Sequence, residues 1–133
     1  MQVEVKWQGE LQFEATTESG NKLVLSGDKT QGTTPMEAVL AAAASCSSVD
    51  VVSILQKARQ NVSGVEVKVS AVRADAVPAV FTDIHLHFVV TGIEVNPKQV
   101  ERAVDLSAEK YCSVSIMLGH AAKVTHSYEV KSA

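Results

Sequence analysis

The chain opens with apolar and polar positions in strict alternation. Val3, Val5 and Trp7 are interleaved with Gln2, Glu4, Lys6 and Gln8, and Leu11, Phe13 and Ala15 with Gln12 and Glu14. Side chains of a strand point to opposite faces in turn, so a period of two predicts strands, and Gly9-Glu10 between them predicts a hairpin. Ser19-Gly20-Asn21 supplies a second turn, and Leu23 to Leu25 form a third short strand that ends near Ser26-Gly27-Asp28.

From Pro35 to about Arg59 the pattern changes. Met36, Ala38 to Ala44, Cys46, Val49, Val51, Val52, Ile54, Leu55 and Ala58 occupy every face of a helix rather than one stripe. Such a helix needs cover all round. At about 1.5 Å per residue it is roughly 38 Å long, enough to cross a compact domain of this size. Its start is marked by Thr34 as N-cap, Pro35 at the first helical position and Glu37 completing a capping box. Lys57 and Arg59 suit its negative end, and Asn61 to Gly64 breaks the pattern. Glu37, Ser45, Ser47, Ser48, Asp50 and Ser53 interrupt the apolar run, which favours a buried helix over a membrane span.

Val65, Val67, Val69 and Ala71, then Ile84, Leu86, Phe88 and Val90, mark two further strands on either side of a Pro78-containing loop. Asn96-Pro97 opens a second helix, with Val100, Ala103, Val104, Ser107 and Tyr111 at a period near 3.6, and this helix delivers Cys112 near its end. Ser113 to Leu118 read as a short helix stopped by Gly119, and Val124, His126, Tyr128 and Val130 as one face of a last strand. The order is βββ-α-ββ-α(α)-β, an α+β class with antiparallel strands around a central helix, in one domain spanning 1–133. A chain of 133 residues has little to spare for covering that helix, so a partner chain is expected.

Net charge of -3, no basic run and 5% aromatic residues argue against a nucleic-acid surface or an anionic-membrane binder and leave small molecules or proteins as partners. The N-terminal residues lack the layout of a secretory signal, and a cytoplasmic location is expected. Cys46 and Cys112 form no CxxC and have no zinc-ligand spacing, so no metal, no cofactor and no permanent disulfide are expected.

Position alone makes Cys46 a core thiol. A mid-helix cysteine gains little from the helix dipole, burial raises its pKa, and an ionised Asp50 one turn later raises it further. Cys112 alters this only if the two sulfurs meet. His85 and His87 share the polar face of an alternating strand and read as solvent-facing rather than metal-bound. His126 and Tyr128 read as hydrogen-bonded core or interface residues, and the capping box explains Glu37 without catalysis.

Pro35-Met36-Glu37 through Ala41-Ala42-Ala43-Ala44-Ser45-Cys46, with Glu109-Lys110-Tyr111-Cys112-Ser113-Val114, resembles the OsmC/Ohr superfamily of osmotically induced and organic-hydroperoxide-resistance proteins over nearly the whole chain. Asp50 to Leu55 and Lys110-Tyr111-Cys112 are most similar to its YhfA-like branch. The resemblance implies an intertwined homodimer whose two cysteines meet at the subunit interface. It implies Cys46 as the peroxidatic thiol, Cys112 as the resolving thiol, an organic hydroperoxide as substrate and a dithiol as reductant. Glu37 joins these two in the candidate catalytic set.

The sequence departs from that pattern in three places. In the peroxidases a Glu directly follows the helix-opening Pro and holds an Arg over the thiol, whereas here that position is Met36 and the acid comes one residue later. The only arginines are Arg59, Arg73 and Arg102, none of them in the N-terminal strands or their loops, where Lys6, Lys22 and Lys29 stand instead. Cys112 is followed by Ser113 rather than Pro. These departures keep open the alternative of a non-enzymatic binding or sensing dimer that holds a small apolar ligand at its interface pocket.

Overall fold

A computed structural model describes residues Met1–Ala133. The chain falls into two compact units, Met1–Ala41 and Ala42–Ala133. The first holds an antiparallel sheet in the order β1 (Val3–Gly9), β2 (Gln12–Thr17) and β3 (Lys22–Ser26). Its first turn uses Gly9 and Glu10 at positive φ, and its second uses Gly20 in the same region. Trp7 pairs with Phe13, and Phe13 with Leu25, so Val5, Trp7, Phe13, Ala15, Leu23 and Leu25 share one face, while Val24 lies opposite Glu14 on the other. That face is lightly covered within the chain: Val3, Val5, Trp7 and Leu23 are exposed, and Ala15 is buried.

Helix α1 (Pro35–Lys57) begins in the first unit and continues into the second. It starts where the capping box places it and ends two residues before the expected Arg59, which adopts a left-handed backbone at φ 58° and so cannot continue the helix. The cover differs from the expectation of a helix buried on every face. Within one chain Ala43, Ser47, Val51 and Leu55 form a single buried stripe at a spacing of four, and Val49 is 69% exposed. By length and composition alone α1 could cross a membrane. Its central polar groups, however, are bonded inside the protein.

In the second unit β4 (Asn61–Arg73) and β5 (Phe81–Ile93) pair antiparallel, and β6 (Lys123–Ser132) joins the other side of β5. The β5–β6 pairing is parallel, which corrects the all-antiparallel expectation. Between them the chain passes through α2 (Pro97–Leu106), a π-helical turn (Ser107–Tyr111) and α3 (Ser113–Leu118), and this helical crossover lets β6 start at the same end as β5. Ile84, Leu86, Phe88 and Val90 of β5, Val51 and Leu55 of α1, and Val100 and Val104 of α2 supply the largest part of the core. The π turn interrupts what the sequence pattern treats as one helix up to Tyr111.

Candidate functional site

Cys112 sits at the junction that the π turn creates. Its backbone is extended at φ -77° and ψ 99°, and its N–H donates to the Ser107 carbonyl at 2.8 Å. It is also the N-cap of α3, with Sγ accepting from the Ser115 N–H at 3.4 Å. The residue is completely buried.

Two hydroxyls converge on the same sulfur. Ser47 Oγ donates to Cys112 Sγ at 3.2 Å, Ser115 Oγ lies 3.2 Å from it, and the hydroxyls are 3.4 Å apart. Ser47 belongs to the buried stripe of α1, so the helix face that packs inward also presents this donor. The sequence places Ser47 with Ser45 and Ser48 as hydroxyls around Cys46, whereas the structure turns it to Cys112, and nothing in the sequence reading singled out Ser115. The spacing Cys112-x-x-Ser115, an N-cap followed by a hydroxyl at N3, is the signal that could have found the second.

Cys46 is half-buried and, like Cys112, a free thiol. Cys112 Sγ lies against α1 at Ser47 Oγ and the Ala43 carbonyl, positions that flank Cys46 in the helix, and each thiol acts on the other's ionisation, so residues far apart in sequence come near each other. Their surroundings act in opposite directions. At Cys112, burial opposes ionisation, but the Ser115 hydroxyl, the Ser47 hydroxyl, the Ser115 N–H and Cys46 outweigh it and lower the pKa. At Cys46, the Val114 N–H favours the thiolate, but burial, Cys112 and the negative charge of Asp50 outweigh it and raise the pKa. Asp50 also accepts a hydrogen bond from Ser107 Oγ at 2.9 Å, which ties α1 to the π turn. No arginine or lysine is among the groups acting on either thiol.

Glu37 is engaged as its sequence position predicts. Its Oε1 accepts from both the Thr34 N–H and the Thr34 hydroxyl at 3.0 Å, and its own N–H donates to Thr34 Oγ1 at 3.2 Å. The Thr34 N–H and hydroxyl, in that order, hold the carboxyl below its ordinary pKa. The histidines are placed differently from a fully solvent-facing reading. His85 and His87 are half-buried and hydrogen-bonded to β6, His85 to Thr125 at 2.7 Å and His87 to Ser127 at 2.6 Å. No group of three or more His, Cys, Asp or Glu is arranged to hold a metal ion. His126 is half-buried and bonded to Asp105 at 2.8 Å.

Behind the serines lies a cavity of about 290 Å³, lined by Leu86, Phe88, Val104 and Ile116 on its apolar side and by Ser47, Ser115 and His126 among its polar groups. A more open cleft of about 480 Å³ runs past Asp50, Lys57, Arg102 and Tyr111.

Residues 26–127 match the family model of OsmC-like protein. Protein YhfA of Escherichia coli (strain K12) is 52% identical over 136 residues, with both chains covered in full. The crystal structure of a hypothetical protein from Aquifex aeolicus VF5 is 34% identical, covers 99% of this chain and 96% of its own, and has a TM-score of 0.91. An organic hydroperoxide resistance protein OsmC from Legionella pneumophila has the same fold at 19% identity, with a TM-score of 0.71 and 97% of each chain covered. The chain belongs to the OsmC-like protein family.

Proposed function

We propose that this protein is a cytoplasmic, thiol-dependent peroxidase that reduces organic hydroperoxides as a homodimer and so serves in oxidative-stress defence. The observation that carries the reading is that Cys112 Sγ packs on α1 against Ser47 and the Ala43 carbonyl, beside Cys46, near enough for each thiol to act on the other's ionisation. The Cys46 thiolate attacks the terminal peroxide oxygen, the O–O bond breaks, and the departing alkoxide takes a proton and leaves as an alcohol. Cys46 is then a sulfenic acid. Cys112 attacks the Cys46 sulfur, water leaves, and the resulting disulfide is reopened by a dithiol. Glu37, occupied as a helix cap, is given no step.

The homodimer rests on the apolar surface that one chain leaves uncovered on β1 and along α1. Sedimentation at micromolar concentration tests it, and a stable monomer overturns it. Single-turnover oxidation with an alkyl hydroperoxide, followed by mass analysis, tests the chemistry. Wild type is expected to form the Cys46–Cys112 disulfide, Cys112→Ser to stop at a Cys46 sulfenic acid, and Cys46→Ser to stay unreactive. Absence of fast thiol loss in the wild type overturns the peroxidase reading.

A second reading, a binding or sensing protein for a small apolar ligand, is favoured by the cavity of about 290 Å³ lined by Leu86, Phe88, Val104 and Ile116. Native mass spectrometry of the purified protein discriminates: a co-purifying ligand with slowly oxidising thiols supports it, and an empty protein with rapidly oxidising thiols removes it.

A further inference from the structure

We propose that Ser47 and Ser115 form a hydroxyl cradle that receives Cys112 as the leaving group when the Cys46–Cys112 disulfide is reduced, so that the incoming reductant attacks Cys46. The inference rests on the disulfide step of the reading above and assigns a direction to it.

A disulfide offers two sulfurs to an attacking thiolate, and two properties decide between them: which sulfur can be reached, and which leaves more readily as a thiolate. Here both properties select the same outcome. Cys112 is 0% exposed and Cys46 half-buried, so Cys46 is the more accessible of the two. Negative charge arriving on Cys112 Sγ meets the Ser47 hydroxyl at 3.2 Å, the Ser115 hydroxyl at 3.2 Å and the Ser115 N–H at 3.4 Å. The Ser115 hydroxyl needs only to rotate, since it accepts from the neutral thiol and donates to the thiolate.

Cys46 has no matching hydroxyls, although serines flank it. Ser45 Oγ donates to the Ala42 carbonyl at 3.2 Å and Ser48 Oγ to the Ala44 carbonyl at 2.7 Å, so both are committed to the helix backbone. Asp50 places negative charge near Cys46 and further disfavours charge there. Departure of Cys46 from an attacked Cys112 is therefore the poorer route on both counts.

The step balances as follows. One thiolate of a dithiol attacks Cys46 Sγ, the S–S bond breaks, and its electron pair leaves on Cys112 Sγ. The product is a mixed disulfide between Cys46 and the reductant. The second thiol of the dithiol, as its thiolate, attacks the reductant's sulfur in that bond and releases Cys46 as a thiolate, which takes up a proton. The dithiol is oxidised to a disulfide, and the protein regains two thiols. Ser47 and Ser115 act here as positioning residues, through Cys112.

The test makes the disulfide with diamide, which requires no hydroperoxide chemistry, and follows reopening by dithiothreitol in the full-length protein. Loss of a hydrogen bond to a charged sulfur is expected to slow reopening on the order of tenfold in Ser115→Ala and in Ser47→Ala. Ser115→Thr, which keeps the hydroxyl, is expected to restore the rate, and the lower of the two thiol titrations is expected to move up in the alanine variants. Reaction with a monothiol is expected to leave its adduct on Cys46. An adduct on Cys112, or unchanged reopening rates in alanine variants that melt as the wild type does, overturns the proposal. If serine-dependent reopening at Cys46 occurs in a protein that alkyl hydroperoxides do not oxidise, the peroxidase reading falls and the leaving-group assignment stands.

Discussion

Strands β1 and β5 carry the same alternation of apolar and polar residues and have opposite surroundings. Ile84, Leu86, Phe88 and Val90 of β5 are almost fully buried, whereas Val3, Val5 and Trp7 of β1 are more than half exposed. Strand β5 lies between β4 and β6 in its sheet, and Phe88 and Val90 share a core with α1 and α2. Strand β1 is an edge strand with one neighbour, β2. Alternation thus states which residues share a face and says nothing of what covers that face. The uncovered face is the one a second copy would occupy in the proposed homodimer.

The largest expected effect comes from the covered side. Phe88 is 2% exposed, and Phe88→Ala removes a ring from close-packed surroundings. A loss of about 3–5 kcal/mol is expected, read as a lower denaturation midpoint with an unchanged slope.

The same kind of truncation on β1 separates two cases. Trp7 is 68% exposed within the chain, so in a monomer Trp7→Ala changes stability by roughly 0.5 kcal/mol or less. In the proposed dimer the variant instead loses affinity between copies, and its melting temperature becomes more dependent on protein concentration than that of the wild type. Thermal unfolding at two concentrations a hundredfold apart decides between them.

These differences also mark what the sequence could convey. The start of α1 was legible because Thr34, Pro35 and Glu37 act within one turn, and a local signal needs no knowledge of the rest of the fold. The short α3 was legible to the residue for the same reason, with Gly119 following it. The parallel pairing of β6 with β5 depends on where a long crossover returns the chain, and alternation is the same in parallel and antiparallel strands. The partial cover of α1 was equally hidden, because apolar composition states a need for cover without stating which chain provides it. At the site, Cys46 and Cys112 could be named as reactive thiols, both through the family resemblance. That they come near each other, and that Ser47 bonds Cys112, depends on contacts across more than sixty residues of chain, whereas Ser115 lies only three residues from Cys112.

A smaller effect probes the contrast between the two thiols. Cys46 has a raised pKa, so its thiolate is a minor species at neutral pH and its oxidation is expected to accelerate as pH rises towards that pKa. Asp50 is one of the groups that raise it. Asp50→Asn removes the charge, lowers the Cys46 pKa and is expected to speed hydroperoxide-driven thiol loss at pH 7 a few-fold, with the rate–pH curve moved to lower pH. A curve that moves to higher pH contradicts the placement of Asp50 beside Cys46.

A local effect tests the cap in the unit where least is buried. Thr34→Ala deletes the hydroxyl that accepts from the Glu37 N–H and donates to its carboxylate, and a loss of about 1 kcal/mol is expected. The pH dependence has a definite sign. Glu37 has a lower pKa folded than unfolded, so its contribution is present in full above the unfolded value and is lost as pH falls through the folded one. Acid titration of the wild type should therefore include a component that Glu37→Gln lacks, confined to the ordinary carboxyl range and below. If the two proteins lose stability in parallel through that range, the carboxylate contributes nothing as a charge. The cap then rests on the Thr34 hydroxyl alone, and Glu37 is free for another role.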